Sequence, residues 1–117
     1  MNSLITRFAP SPTGYLHIGG VRTALINYIV VQKAKENFPN SKFLLRIEDT
    51  DKKRSTNEFN KVIIESLDWL GLNHDDQPYI QSSNIKRHQK VAFDLLEKKE
   101  AFKCICSNKI LEKRREE

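Results

Sequence analysis

Two stretches of the chain hold residues whose types and spacing could do chemistry. The first is Ala9-Pro10-Ser11-Pro12-Thr13-Gly14-Tyr15-Leu16-His17-Ile18-Gly19-Gly20, a proline-broken loop that runs straight into a helical pattern. A helix N-terminus offers unpaired N–H groups and the positive end of the helix dipole, and together these favour a bound anion. Gly19 and Gly20 carry no Cβ that would hold a phosphate or nucleobase away. His17 adds a donor able to stabilise charge developing on a transferring phosphoryl group. The same residues also suit a tight helix entry with His17 as an ordinary loop histidine, and spacing alone does not separate the two readings. The second stretch is Arg46-Ile47-Glu48-Asp49-Thr50-Asp51, where three carboxylates gather just ahead of Lys52, Lys53 and Arg54. Such a cluster at a strand end can hold an ammonium group, a ribose hydroxyl or a metal ion. By composition alone, a solvated turn is the plainer reading.

The elements that must position these stretches alternate in type. Residues 4–9 read as a short strand, after which Pro10, Pro12 and Gly14 exclude helix. Val21, Ala24, Leu25, Tyr28 and Ile29 then recur at helical spacing and predict one apolar stripe facing a core, ended by Asn37, Pro39 and Asn40. Phe43-Leu44-Leu45-Arg46-Ile47 is a nearly continuous apolar run of strand length, expected of a strand covered by helices on both faces. If that strand runs on, the pleat puts Arg46 and Glu48 opposite to Ile47. Ser55 and Glu58 have the spacing of a capping box, and Phe59, Val62, Ile63, Leu67 and Leu70 continue as a helical stripe closed by Gly71. A third helix is expected over about 85–99, a short strand over 101–105, and helix again from Asn108. Strand, helix, strand, helix is the pattern of a parallel sheet with flanking helices, an α/β fold whose ligands bind beyond the strands' C-terminal ends.

A chain of 117 residues makes at most one ordinary domain, which is cramped for a multi-step enzyme with a large substrate. Residues 112–117 form a polar helical segment with neither a C-cap nor an apolar partner after it, so a cut within a longer protein is expected. No stretch is apolar for long enough to span a bilayer and no secretory signal opens the chain, which makes a soluble protein of the cytoplasm the expectation. Cys104 and Cys106, the only two cysteines, lie two positions apart, a separation that disfavours a disulfide and suits reduced thiols. The formal net charge is +5, and residues 86–117 hold ten Lys/Arg against six Asp/Glu while residues 1–85 hold ten against nine. A basic tail suits a polyanion such as RNA, and a solvated helix face is the plainer reading.

Taken as strings, RFAPSPTGYLHIGG followed by LLRIEDTDKKRS closely resembles the glutamyl-tRNA synthetases of bacterial type, a class I aminoacyl-tRNA synthetase family. HIGG resembles that family's form of the class I HIGH motif. The likeness continues through Leu67–Leu72, Pro78–Ser82 and Lys103–Cys106, and so covers essentially the whole chain. Glutaminyl relatives resemble PPEPNG at Ala9–Gly14 and DDTN at Glu48–Asp51, which argues for glutamate.

The resemblance implies the first half of a Rossmann-like nucleotide-binding fold over residues 1–100. Residues 101–117 would begin an inserted region that binds the tRNA acceptor stem. It implies ATP at Ala9, Pro10, Ser11, Pro12, Thr13, Gly14, His17, Gly19 and Gly20, with His17, Gly19 and Gly20 as the catalytic signature. Arg7 matches the arginine that pairs with the side-chain carboxylate of glutamate, and a planar guanidinium suits a two-bond grip on a carboxylate. Glu48 matches the acceptor of the substrate α-ammonium group, and Ser11 a position near the amino acid and adenylate. The implied reaction joins ATP and L-glutamate to give glutamyl-adenylate and pyrophosphate, then transfers the glutamyl group to tRNA(Glu), with Mg²⁺ accompanying the triphosphate and no enzyme nucleophile. A monomeric enzyme with no membrane partner is expected, its second phosphate grip in a KMSKS-like loop that this chain lacks. Cys104 and Cys106 resemble the first half of a zinc site found in many members, with His74 and His88 as substitutes by residue type only. A free-standing nucleotide- or RNA-binding module and a tRNA-modifying glutamyl-transferase paralogue are the alternatives, the latter's relatives departing from the EDTD string kept here.

Overall fold

A computed structural model describes residues 3–116. In chain order the elements are β1 (Ile5–Phe8), α1 (Ile18–Lys35), β2 (Lys42–Ile47), α2 (Asn57–Trp69), β3 (Tyr79–Ile80), a 3₁₀ turn (Gln81–Asn84), α3 (Ile85–Glu97) and α4 (Asn108–Glu116). The strands form a parallel sheet in the order β1-β2-β3, as the alternating pattern predicts. Ile5 pairs with Lys42 and Phe8 with Leu45, while Arg46 and Ile47 pair with Tyr79 and Ile80. Two compact units result, Met1–Asn84 and Ile85–Glu117.

The core of the first unit follows from strand alternation. Phe43, Leu45 and Ile47 are buried on one face of β2 with Phe8 of β1 beside them, and Ala24, Val31, Ile63, Leu67 and Leu72 close over them. Leu44 and Arg46, on the other face, are only half-buried. The expectation of helices on both faces of β2 is therefore not met within this unit, because α1 and α2 share a face. On α1 it is Ala24 and Val31 that are buried, with Tyr28 packed against them edge-on to Phe43, while Leu25 and Ile29 face outward. Ile18, Ile26 and Val30 are exposed as well, so α1 is apolar all round and periodicity alone could not choose its inner face.

Helix ends obey simple rules with two surprises. Thr56, not Ser55, caps α2, its hydroxyl accepting from the Phe59 N–H at 3.2 Å. α2 closes in a Schellman motif: Leu72 N–H donates to the Leu67 carbonyl, Gly71 N–H donates to that of Asp68, and Gly71 takes φ +72°. α3 closes in the same way, with Glu100 N–H on the Leu95 carbonyl, but the left-handed residue there is Lys99 at φ +61°. A side chain at that conformation costs on the order of 1–2 kcal/mol that glycine avoids. Residues 101–105 form no strand. Phe102 and Ile105 are almost fully exposed, and a strand without a partner edge has nothing to bond its backbone groups. β3, two residues long, is too short to leave any alternation in the sequence.

Asp75 fastens the N-terminal half of β2. Its N–H donates to the Phe43 carbonyl at 2.9 Å, its Oδ2 accepts from the Phe43 N–H at 2.7 Å, and its Oδ1 accepts from Lys35 Nζ at 2.6 Å. Burial alone would raise this carboxyl, but the Lys35 hydrogen bond, the Phe43 N–H and the charges of Lys35 and Lys42 outweigh it and hold Asp75 below its ordinary 3.8. A depressed folded-state value stabilises the fold above the unfolded value and stops doing so as pH falls through the folded one. Wild-type stability is thus expected to fall between about pH 5 and pH 2 by more than that of Asp75→Asn, as urea unfolding at several pH values would read.

Candidate nucleotide and amino-acid site

Residues 9–17 leave β1 at its C-terminal end and fold over the N-terminus of α1. Pro12 is buried, Thr13 N–H donates to the Ser11 carbonyl at 2.9 Å, and Tyr15 packs edge-on against Phe59 of α2 with ring centres 5.6 Å apart. The loop encloses a hollow of about 270 Å³ whose walls include Phe8, Pro10, Ser11, Thr13, Gly14, His17 and Gly20. That volume lies at the low end for small-molecule pockets and would take part of a nucleotide or an amino acid. Of the ATP-site residues expected from the sequence, only Ala9, Pro12 and Gly19 are absent from the wall. A larger hollow of about 630 Å³ lies between α1 and α2, its wall mostly apolar (Leu16, Ile18, Val21, Val62, Trp69 and Leu70) with Ser66 and the carboxylate of Glu65 as its polar side chains.

His17 is the N-cap of α1, in extended conformation at φ −100°. Its Nδ1 accepts from the Gly20 N–H at 3.4 Å. In a neutral imidazole whose Nδ1 accepts, the proton sits on Nε2, so the cap leaves Nε2–H as an outward donor. The N–H groups of Ile18 and Gly19 are the other helix-end donors. A Cβ on Gly19 would lie 3.1 Å from Cε1 and Nδ1 of His17, and one on Gly20 2.9 Å from the Leu16 side chain and 3.6 Å from Phe8. Each glycine therefore protects the imidazole seat or the hollow's wall, which goes beyond a generic need for a tight turn.

The β2 end narrows the carboxylate cluster to one free group. Arg46 and Glu48 lie on the same side of the strand, as the pleat requires, and the guanidinium pairs with Glu48 Oε1, Nε at 3.1 Å. Oε2 of Glu48 has no protein partner among the described residues. Asp49 gives both oxygens to Ser82, and Asp51 is engaged by Arg54 and by the Lys53 N–H. The Arg54 hydrogen bond is the main reason the Asp51 carboxyl lies below its usual range. Arg7 stands on the face of β1 opposite to Phe8, level with Leu44, exposed and without an ion pair among the described residues. The two stretches meet through one backbone bond, Glu48 N–H to the Pro10 carbonyl at 2.9 Å. Nothing in the spacing announced that contact, which links residues 38 positions apart.

No group of three or more metal-ligating His, Cys, Asp or Glu side chains forms among the described residues. Cys104 is exposed and Cys106 half-buried, both as free thiols, so the side chains present do not make up the four ligands a structural zinc requires. No helix among the described residues is long and apolar enough to cross a membrane.

Comparison with known proteins identifies the family and the fold. Residues 3–117 match the family of class I tRNA synthetases (E and Q), catalytic domain. The chain is 52% identical over 111 residues to a glutamate–tRNA ligase of Legionella pneumophila, covering 95% of this chain and 23% of the relative. It is 50% identical over 116 residues to glutamate–tRNA ligase 1 of Ehrlichia canis, covering 99% of this chain and 24% of that protein. Among solved structures, a glutamate tRNA ligase of Elizabethkingia meningosepticum in complex with its amino acid superposes with a TM-score of 0.75 at 32% identity, over 96% of this chain and 23% of the other. The chain thus spans about a quarter of the length of the relatives it matches.

Proposed function

The chain belongs to the catalytic-domain family of class I tRNA synthetases for glutamate and glutamine, and on that premise we propose that it is the glutamate- and ATP-binding portion of a cytoplasmic glutamate–tRNA ligase. The observation that carries this reading is the Glu48–Pro10 backbone bond, which joins the carboxylate loop to the helix-entry loop and so supports a site where two substrates would lie side by side. Residues 1–100 would form the first half of the catalytic fold, and residues 101–117 the start of an acceptor-stem-binding insertion.

In the reaction, a carboxylate oxygen of glutamate attacks the α-phosphorus of ATP and pyrophosphate leaves; a hydroxyl of the terminal tRNA ribose then attacks the acyl carbon and AMP leaves. Arg7 grips the side-chain carboxylate, and Glu48 Oε2 receives the α-ammonium group while Arg46 occupies Oε1. The Ile18 and Gly19 N–H groups and His17 Nε2–H face the phosphates. Mg²⁺ accompanies the triphosphate as part of the substrate. Catalysis then rests on position and on charge stabilisation at phosphorus. Zinc enters only if Cys104 and Cys106 are joined by two ligands from outside this chain.

The test is to titrate the isotope-labelled chain with ATP and Mg²⁺ and follow amide resonances. Shifts are expected at Thr13–Val21 and at Glu48. Shifts confined to residues 85–117 would contradict the reading.

A further inference from the structure

Asp49 plays no part in the chemistry proposed above, yet both of its oxygens are engaged by one distant residue. Oδ1 accepts from the Ser82 N–H at 2.8 Å and Oδ2 accepts from the Ser82 hydroxyl at 2.5 Å, across 33 positions of sequence. Its place in the sheet explains why a side chain is needed there. β2 and β3 are paired only at Arg46↔Tyr79 and Ile47↔Ile80, and both chains leave the sheet at once, one as the Glu48–Asp51 loop and the other as the Gln81–Asn84 turn. The bond that would continue the ladder is made by a carboxylate in place of a carbonyl.

We infer that Asp49 and Ser82 form a latch that positions Glu48, making Asp49 a positioning residue for amino-acid recognition. This rests on the assignment of Glu48 as the ammonium acceptor. Glu48 is held from one side by its own N–H on the Pro10 carbonyl and from the next residue by the latch. Arg46 holds Oε1, but without the latch the backbone that carries this carboxylate would be tied only by the Glu48 N–H, on a loop that also carries Thr50 and Asp51. A charge-assisted pair of hydrogen bonds, partly screened from water, is strong enough to hold such a loop. Asparagine can keep both contacts, because its Oδ1 accepts from the Ser82 N–H while its Nδ2 donates to the hydroxyl oxygen; alanine keeps neither.

The experiment compares wild type, Asp49→Ala, Asp49→Asn and Glu48→Gln in the full chain, reading amide hydrogen exchange and the binding of L-glutamate and of ATP with Mg²⁺. In Asp49→Ala the Glu48 N–H is expected to exchange about tenfold faster, and glutamate binding to weaken about tenfold, with ATP binding within about twofold. Asp49→Asn is expected to restore both. A protein merely loosened overall would lose protection in the α1 amides and ATP binding as well, which separates positioning from general stability. Unchanged Glu48 exchange in Asp49→Ala would overturn the latch whatever the ligands do. Equal glutamate binding by Glu48→Gln and wild type would instead overturn the role of Glu48, with the exchange result still deciding the latch.

Discussion

Replacing His17 with alanine is expected to slow adenylate formation by about 10²–10³-fold while changing ATP binding by less than about threefold. The setting is a full-length ligase in which these 117 residues stand in place of the matching segment. The size follows from what His17 does in the fold. Its Nδ1 accepts from the Gly20 N–H, which in a neutral ring leaves Nε2–H as the donor offered to a ligand. Such a donor matters most where charge develops at the α-phosphorus, and losing one preorganised donor of this kind typically costs about 3–4 kcal/mol of transition-state stabilisation. The capping role is small beside that. A lost N-cap costs about 1 kcal/mol, and the 3.4 Å contact is a weak one. The check is glutamate-dependent exchange of pyrophosphate into ATP, measured with tRNA present. A normal rate with a raised KM for ATP would reduce His17 to a binding contact.

A second large effect is expected at Arg7. Arg7→Lys should weaken glutamate activation about 10–100-fold, seen as a raised KM for glutamate with KM for ATP unchanged. Arg7 is exposed on β1 with no ion pair among the described residues, so its guanidinium is not committed to holding the strand. An exposed position of this kind changes stability by about 0.5 kcal/mol or less, and the kinetic loss would therefore report on the ligand. Lysine keeps the charge but offers a point donor where a carboxylate is matched by two parallel N–H groups. Equal activity of the two proteins would remove Arg7 from the site.

Much of the fold was legible because local signals agreed. Phe43–Ile47 read as a strand and is one, Gly71 read as the end of α2 and closes it, and the parallel βαβα order follows from the alternation. The pleat also foretold that Arg46 and Glu48 share a side. Where the reading failed, a long-range partner decided. Ala101–Ile105 has strand composition and no edge to join; Tyr79–Ile80 has almost no composition to read and forms β3 because β2 offers an edge. The inner face of α1 is set by the sheet it meets, since its apolar residues surround the helix. At the candidate site, residue types alone marked two loops without separating the roles of their members. Asp49 and Asp51 look like Glu48 by residue type, and the resemblance alone singled out Glu48; the fold adds that Ser82 and Arg54 engage the two aspartates.

Joint recognition of glutamate and ATP by these 117 residues is read most directly from aminoacylation by that same full-length chimera. With ATP, Mg²⁺ and tRNA(Glu), it is expected to charge labelled glutamate in preference to glutamine, and to lose that charging with Arg7→Ala. The 117 residues by themselves span about a quarter of their relatives' length and are expected to charge nothing, since misplacement by about 1 Å already costs on the order of 10²-fold. A folded chimera that charges glutamine in preference, or that charges glutamate equally well without Arg7, would rule out glutamate recognition by these residues.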